Sequence, residues 1–270
     1  MSEDLAHVRE GPVPASQGGA QLLDLIRIQA RLRAPGGCPW DAEQTHETLA
    51  RHLLEETHEL LEAIDAADSD AIRDELGDLL LQVTFHAQIA ADEGRWDVDD
   101  VAQGLVEKLI HRHPHVFGEV EVSGSDEVLV NWEKLKAEEK GGSTLIEDDI
   151  PATLPALARA SKVQRRAAGW GFEWRSPQSA FAALREEVDE LASAIDAEDH
   201  DNAEEEIGDV LFSVVAVARK LGVDGESALR RTIRGFAERY ERFAAVAAER
   251  GLDPDAMSES EIRALFREVR

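Results

Sequence analysis

The chain holds a single cysteine, Cys38. One cysteine can form no intrachain disulfide and no cysteine-based zinc site. It suits a reducing compartment, so a cytoplasmic location is expected. Positive charge is scarce as well: 29 Lys and Arg stand against 56 Asp and Glu, for a net charge of −27. A general nucleic-acid binder, or a protein held to an anionic membrane, needs a basic face, so neither partner is expected. No stretch of about 18 apolar residues is present to span a membrane. The start of the chain carries Glu3 and Asp4 with no apolar run, unlike a secretory signal. Aromatics make up only 5% of the residues, and no convincing apolar–polar alternation marks a strand.

What is abundant favours helix. Ala, Leu, Glu and Arg dominate a chain that is 43% hydrophobic, enough to bury a core. The fold class expected is all-α, in two tandem domains. Residues 1–19, rich in Gly, Pro and Ser, read as a disordered tail. A first domain is expected over 20–140, a linker over 141–152 with its Gly-Gly-Ser and acidic run, and a second domain over 153–270. Helical periodicity begins at Leu22, and Ala34–Trp40 reads as a loop. A helix follows through Leu53, Leu60, Leu61 and Ile64. Ser69 or Asp70 is the expected cap of the next helix, whose apolar stripe is Ile72, Leu76, Leu79, Leu80 and Val83, ending near Gly94. Further helices are expected over about Asp97–Arg112, Asp126–Glu139, Ser227–Glu249 and Ser258–Val269.

The acids are not scattered. Leu53–Ala87 and Leu184–Ala218, superposed without a gap, agree at 17 of 35 positions, where chance would give roughly two. The agreement keeps Glu55, Glu56, Glu59, Glu75, Gly77 and Asp78 over Glu186, Glu187, Glu190, Glu206, Gly208 and Asp209. Residues three apart share a helix face, so Glu56 points with Glu59, and Glu75 with Asp78. Sixteen positions from Glu59 to Glu75 suffice to finish one helix, turn, and start another antiparallel to it. Four carboxylates then converge across the groove. Such hard oxygen donors suit Mg²⁺, with Mn²⁺ as a substitute; without a cation some would take up protons. Glycine inside a helix costs about 1 kcal/mol against alanine. A close approach of helix or ligand at Gly77 and Gly208 would account for it, as would a poorly optimised helix.

Glu-Glu-x-x-Glu followed by Glu-x-x-Asp on paired helices resembles the MazG family of nucleoside triphosphate pyrophosphohydrolases. Other stretches carry the same resemblance from about Leu22 onward: Cys38-Pro39-Trp40-Asp41, Arg73–Asp78, Arg112–Gly118, Asn131-Trp132-Glu133 and Gly171-Phe172-Glu173-Trp174. The resemblance implies hydrolysis of nucleoside triphosphates to monophosphate and pyrophosphate, and a homodimer whose helical hairpins complete four-helix-type bundles. It implies metal ligands Glu56, Glu59, Glu75 and Asp78 in the first unit, and Glu187, Glu190, Glu206 and Asp209 in the second. Glu55 or Glu186 would orient or deprotonate the attacking water.

The match departs where family members are thought to hold the nucleotide, with lysines and a tryptophan of the second domain. The corresponding positions here are Ala183, Asn202, Gly235 and Phe266, leaving Arg239 of the clear basic set. Phe266 can still stack on a base. In the first unit Lys108 and Arg112, four apart, align with Gly235 and Arg239, so either unit can be the working one. Trp40 reads as a base cover or a buried aromatic. Lys162 reads as a phosphate contact or part of a solvated basic face. A carboxylate-bridged di-iron bundle is the rival enzyme class, through Glu43-x-x-His46 and Glu55-x-x-His58, but these lie twelve residues apart and cannot face each other, and the second unit has Asp189 where His58 sits. A non-enzymatic nucleotide-binding helical scaffold is the rival outside enzymes.

Overall fold

The computed structural model describes residues 19–118, 120–124, 128, 131, 132, 135, 146 and 150–269. The expected tail apart from Gly19, most of the linker over 141–152 and most of the helix over 126–139 lie outside them. The described residues contain helices and no strand. The chain divides into two units, Met1–Val128 and Leu129–Arg270.

The first unit is built on α3 (His46–Ala66) and α4 (Ser69–Asp92), which pack as an antiparallel pair. Against α4 lie α1 (Ala20–Arg33) and α5 (Val98–Arg112); the short α2 (Pro39–Glu43) and α6 (Pro114–Phe117) complete the unit. The segment expected as a loop through Trp40 thus gives way to a helical turn at Pro39, a residue whose fixed φ favours a first helical position. Thr45 caps α3 by accepting from the Thr48 amide. The cap of α4 is Asp68 rather than Ser69 or Asp70: its carboxylate accepts from the Asp70 and Ala71 amides. A carboxylate at the N-cap satisfies orphan amides and meets the positive end of the helix dipole. Gly94 ends the run at φ +68, as a terminating glycine does. The core is Leu49, Phe85 and Ile89, with Leu81 packed against them.

The second unit repeats the pair as α8 (Pro177–Asp196) and α9 (His200–Lys220), with α7 (Ala156–Gly169) packed on α9 and on α10 (Gly225–Glu249). Helix α10 starts two residues before the expected Ser227, because the Asp224 carboxylate accepts from the Ser227 amide and fixes the first turn. Its far end packs on α11 (Glu259–Glu268) through Phe243, Ala247 and Leu265.

The repeat extends to the backbone of the turn. Ala67 and Glu198 occupy equivalent positions, and both are non-glycine residues in the left-handed region, at φ 55 and φ 56. In each turn the next amide reaches back to a helix carbonyl: Asp68 to Ala63 and Asp199 to Ala194. The apolar stripe behaves otherwise than its periodicity implies. Leu76, Leu80 and Val83 are exposed at 51%, 41% and 45%, and their equivalents Ile207, Leu211 and Val214 at 50%, 49% and 41%. Both hairpins therefore leave the same three apolar positions exposed among the described residues.

Candidate metal centre

The turn geometry sets the acids. With α3 and α4 antiparallel, carboxylate oxygens of Glu56, Glu75 and Asp78 come within 4.8 Å of one another. In the second unit those of Glu187, Glu190 and Glu206 do the same. The fourth acid stands beside each trio: Glu59 repels Glu75, and Asp209 repels Glu187 and Glu206. Partial burial is the first cause that pushes the Glu56, Glu75, Glu187 and Glu206 carboxyls above their ordinary range, and neighbouring carboxylates are the second. One oxygen each of Glu75 and Glu206, equivalent residues, is buried with no hydrogen-bond partner. Oxygen-only donors, mutual repulsion and an unsatisfied buried carboxylate oxygen in each unit together fit a hard divalent cation.

Glu55 is exposed on α3, with His52 Nδ1 3.5 Å from its Oε2. Arg51 Nε donates to His52 Nε2 at 3.2 Å. An arginine can only donate, so the His52 ring proton sits on Nδ1 and faces Glu55. The acid spacing did not single out Arg51 or His52; a histidine three residues before the glutamate on one helix face is the signal that could have found it. At the equivalent of His52 the second unit has Ala183.

Of the binding candidates, Trp40 is 51% exposed, with its ring edge-on to His52 and Phe85 at centroid distances of 6.2 and 6.4 Å. Lys108 is exposed on α5, and Arg112 is half-buried in its last turn. Arg239 and Phe266 are brought together. Arg239 Nε donates to the Phe266 carbonyl at 2.8 Å, Nη2 donates to the same oxygen, and the guanidinium lies 4.0 Å from the ring centroid. Lys162 is exposed on α7, two residues before Gln164, and so about 160° around the helix from it. Gln164 is buried and donates to the Phe212 carbonyl of α9 at 2.8 Å, so the lysine stands on the opposite face. Glu43 closes α2, while His46 opens α3 and turns to His86, away from the acids.

A Cβ built on Gly77, Gly208 or Gly235 meets nothing within 4 Å. The close approach expected at Gly77 and Gly208 is therefore not made by the described residues of this chain.

Two segments, residues 44–117 and 175–243, match the family described as the MazG nucleotide pyrophosphohydrolase domain. The chain is 43% identical over 237 residues to a Thermotoga maritima protein named nucleoside triphosphate pyrophosphohydrolase/pyrophosphatase MazG, covering 87% of this chain and 90% of that one. It is 42% identical over 255 residues to an Escherichia coli K12 nucleoside triphosphate pyrophosphohydrolase, covering 93% and 97%. A Mycobacterium tuberculosis protein of the same name is 47% identical over 156 residues, covering 57% of this chain and 47% of that one.

Proposed function

Since this chain belongs to the MazG family, we propose that it is a divalent-cation-dependent hydrolase of nucleoside triphosphates, releasing the monophosphate and pyrophosphate. The observation that carries this reading is a trio of carboxylates gathered on an antiparallel helix pair in each unit, Glu56, Glu75 and Asp78 in the first and Glu187, Glu190 and Glu206 in the second, drawn from the same four repeated acids. Mg²⁺, or Mn²⁺ in its place, would be held by Glu56, Glu59, Glu75 and Asp78, and by Glu187, Glu190, Glu206 and Asp209, and would supply charge neutralisation for the phosphate chain and a water of lowered pKa.

The chain's own residues do the rest. Glu55, oriented by His52, accepts a proton from the water that attacks the α-phosphorus; Glu186 is the counterpart in the second unit. As the new oxygen–phosphorus bond forms, the bond from the α-phosphorus to the bridging oxygen breaks and the electron pair leaves with pyrophosphate. Lys108 and Arg112 receive the charge that builds on that leaving group. Trp40 in the first unit and Phe266 in the second offer ring faces to a base. The exposed stripes at Leu76, Leu80 and Val83 and at Ile207, Leu211 and Val214 support a homodimer whose hairpins cover one another. No helix among the described residues is long and apolar enough to cross a membrane.

The test is pyrophosphate and monophosphate release from a panel of ribo- and deoxyribonucleoside triphosphates with Mg²⁺ and Mn²⁺, using the native protein beside Glu59→Ala and Glu190→Ala. Both products should appear, with a loss in whichever variant strikes the working unit. Nucleotide binding without products would instead favour the scaffold reading.

A further inference from the structure

A histidine pair ties the first carboxylate hairpin together at the end away from its acids. His46 is the first residue of α3 and His86 lies on α4. Their Nδ1 atoms are 2.7 Å apart and their rings meet edge to edge, 5.0 Å between centroids and 6° from parallel, the geometry an in-plane N–H···N bond needs. Trp96 stacks on His46 at 6.2 Å. Arg95 Nη2 lies 2.9 Å from His46 Nε2. The arginine can only donate, so His46 Nε2 accepts and the ring proton of His46 is on Nδ1. His46 Nδ1 then donates to His86 Nδ1, which leaves the His86 proton on Nε2, a buried nitrogen with no hydrogen-bond partner among the described residues. Donation runs one way, from Arg95 through His46 to His86.

We propose that His46 and His86 are positioning residues for the reaction proposed above. Their neutral pair latches α3 to α4, sets the first carboxylate cluster, and makes that site, unlike the second, fail in mild acid. His46 lies ten residues before Glu56 and His86 eight after Asp78, about 15 and 12 Å along their helices. A misplacement of about 1 Å at reacting groups costs on the order of 10²-fold in rate.

A second proton on either ring sets N–H against N–H across the 2.7 Å contact. The charged groups around the pair come from three directions. Glu47 on α3 is held below its ordinary range by the Thr45 hydroxyl first, and in small part by His46. Arg95, paired with Glu93, faces His46 from the loop after α4. Arg33 of α1 bridges to Asp92 of α4 at 2.7 Å. Burial, then the neighbouring His46, pulls His86 below its ordinary 6.5. A depressed histidine leaves the latch whole above that ordinary value and weakens it as pH falls below. The second unit cannot do this: Pro177 and Val217 stand at the equivalent positions, Pro177 likewise opening its helix.

The experiment has a spectroscopic arm and a kinetic arm, both on the whole chain. Histidine ¹⁵N NMR at about pH 7.5 should find His46 protonated on Nδ1 and His86 on Nε2. Both rings protonated on Nε2 would overturn the latch, whatever the protein hydrolyses. In Glu190→Ala, where only the first site works, pyrophosphate release should fall tenfold or more between about pH 7.5 and about pH 5.5, beyond any fall of the second site in Glu59→Ala. His86→Gln keeps an acceptor for His46 and cannot titrate, so it should flatten that extra acid limb while retaining most activity at the higher pH. His86→Leu should lose activity at both. Mn²⁺ affinity in Glu190→Ala, read by electron paramagnetic resonance, should drop more in mild acid with His86 than with His86→Gln, and needs no turnover. An acid limb or Mn²⁺ response identical in His86→Gln and its parent would overturn the proposal.

Discussion

The two units present one set of carboxylates in two different settings. Each pairs its acids across the same left-handed turn, at Ala67 and at Glu198, and each leaves one buried carboxylate oxygen unsatisfied, on Glu75 and on Glu206. What surrounds the acids differs. The first unit has Lys108 and Arg112 one turn apart, and His52 aimed at Glu55. The second has Gly235 in place of the lysine, Ala183 in place of the histidine, and an Arg239 already engaged by the Phe266 carbonyl and ring. On the reading proposed above, the duplication keeps the acids for a cation and changes the residues for a phosphate chain.

The largest expected effect breaks the comparison outright. Glu59→Ala and Glu190→Ala combined should lower pyrophosphate release by about 10²-fold or more, because both cation sites lose a ligand. Measured singly under saturating Mg²⁺, Glu59→Ala should account for most of that loss. An equal loss in the two single variants would show that the missing lysine does not matter.

Next in size is the lysine itself. Lys108→Ala removes a charge-assisted contact to the leaving group, and about 10-fold or more should go from kcat/KM. The reciprocal change, Gly235→Lys, places a lysine where a Cβ meets nothing within 4 Å. In a Glu59→Ala background it should raise the second unit's activity several-fold. No gain there would mean that Arg239, held by Phe266, limits the second site instead.

Near pH 7.5, where the His46–His86 pair is whole, the units should behave alike toward the cation. Glu56, Glu75, Glu187 and Glu206 are raised in the fold, by burial and then by their neighbours. A raised carboxyl stabilises the fold fully below its unfolded value, ordinarily 4.5, and that contribution is lost as pH rises through the folded value. In His86→Gln, which removes the opposing histidine titration, chelated protein should therefore have a higher Tm near pH 5 than near pH 7.5, and added Mg²⁺ should raise Tm more at the higher pH. Glu75→Gln and Glu206→Gln should each raise the chelated Tm slightly and blunt the Mg²⁺ response. A response confined to one unit would make the other carboxylate set a solvated acidic cluster.

Much of this architecture is legible in the residues. The 3.6 periodicity locates the helices, and i, i+3 spacing alone puts the acids on one face. The same register that sets Glu59 beside Glu75 carries His46 to about the level of His86, so the histidine pair is implicit in the hairpin. Residues 40 apart offer no local signal, however, and the pairing shows only once the turn is placed. Local pattern also points to the wrong cap for α4. Asp68, Ser69 and Asp70 stand in a row, all three good capping residues, and only the backbone decides which side chain reaches two amides. Periodicity identifies Leu76, Leu80 and Val83 as an apolar stripe, but it says nothing of whether the covering surface belongs to the same chain.

The two helical glycines give the smallest and most discriminating comparison. Gly77 and Gly208 lie three residues before Leu80 and Leu211, on the side of the uncovered stripes. Within the described chain a Cβ there meets nothing. Alanine is favoured over glycine inside a helix by about 1 kcal/mol, so Gly77→Ala and Gly208→Ala should each raise Tm by roughly 2–4 °C. That outcome holds if no second copy comes close at either position. If a partner's helix crosses one stripe tightly, the added methyl has no room. Tm then falls at that glycine alone and sedimentation shifts toward monomer, while the other glycine still gains. The pair of variants thereby reads out which hairpin faces the partner, using a change too small to disturb the acids next to it.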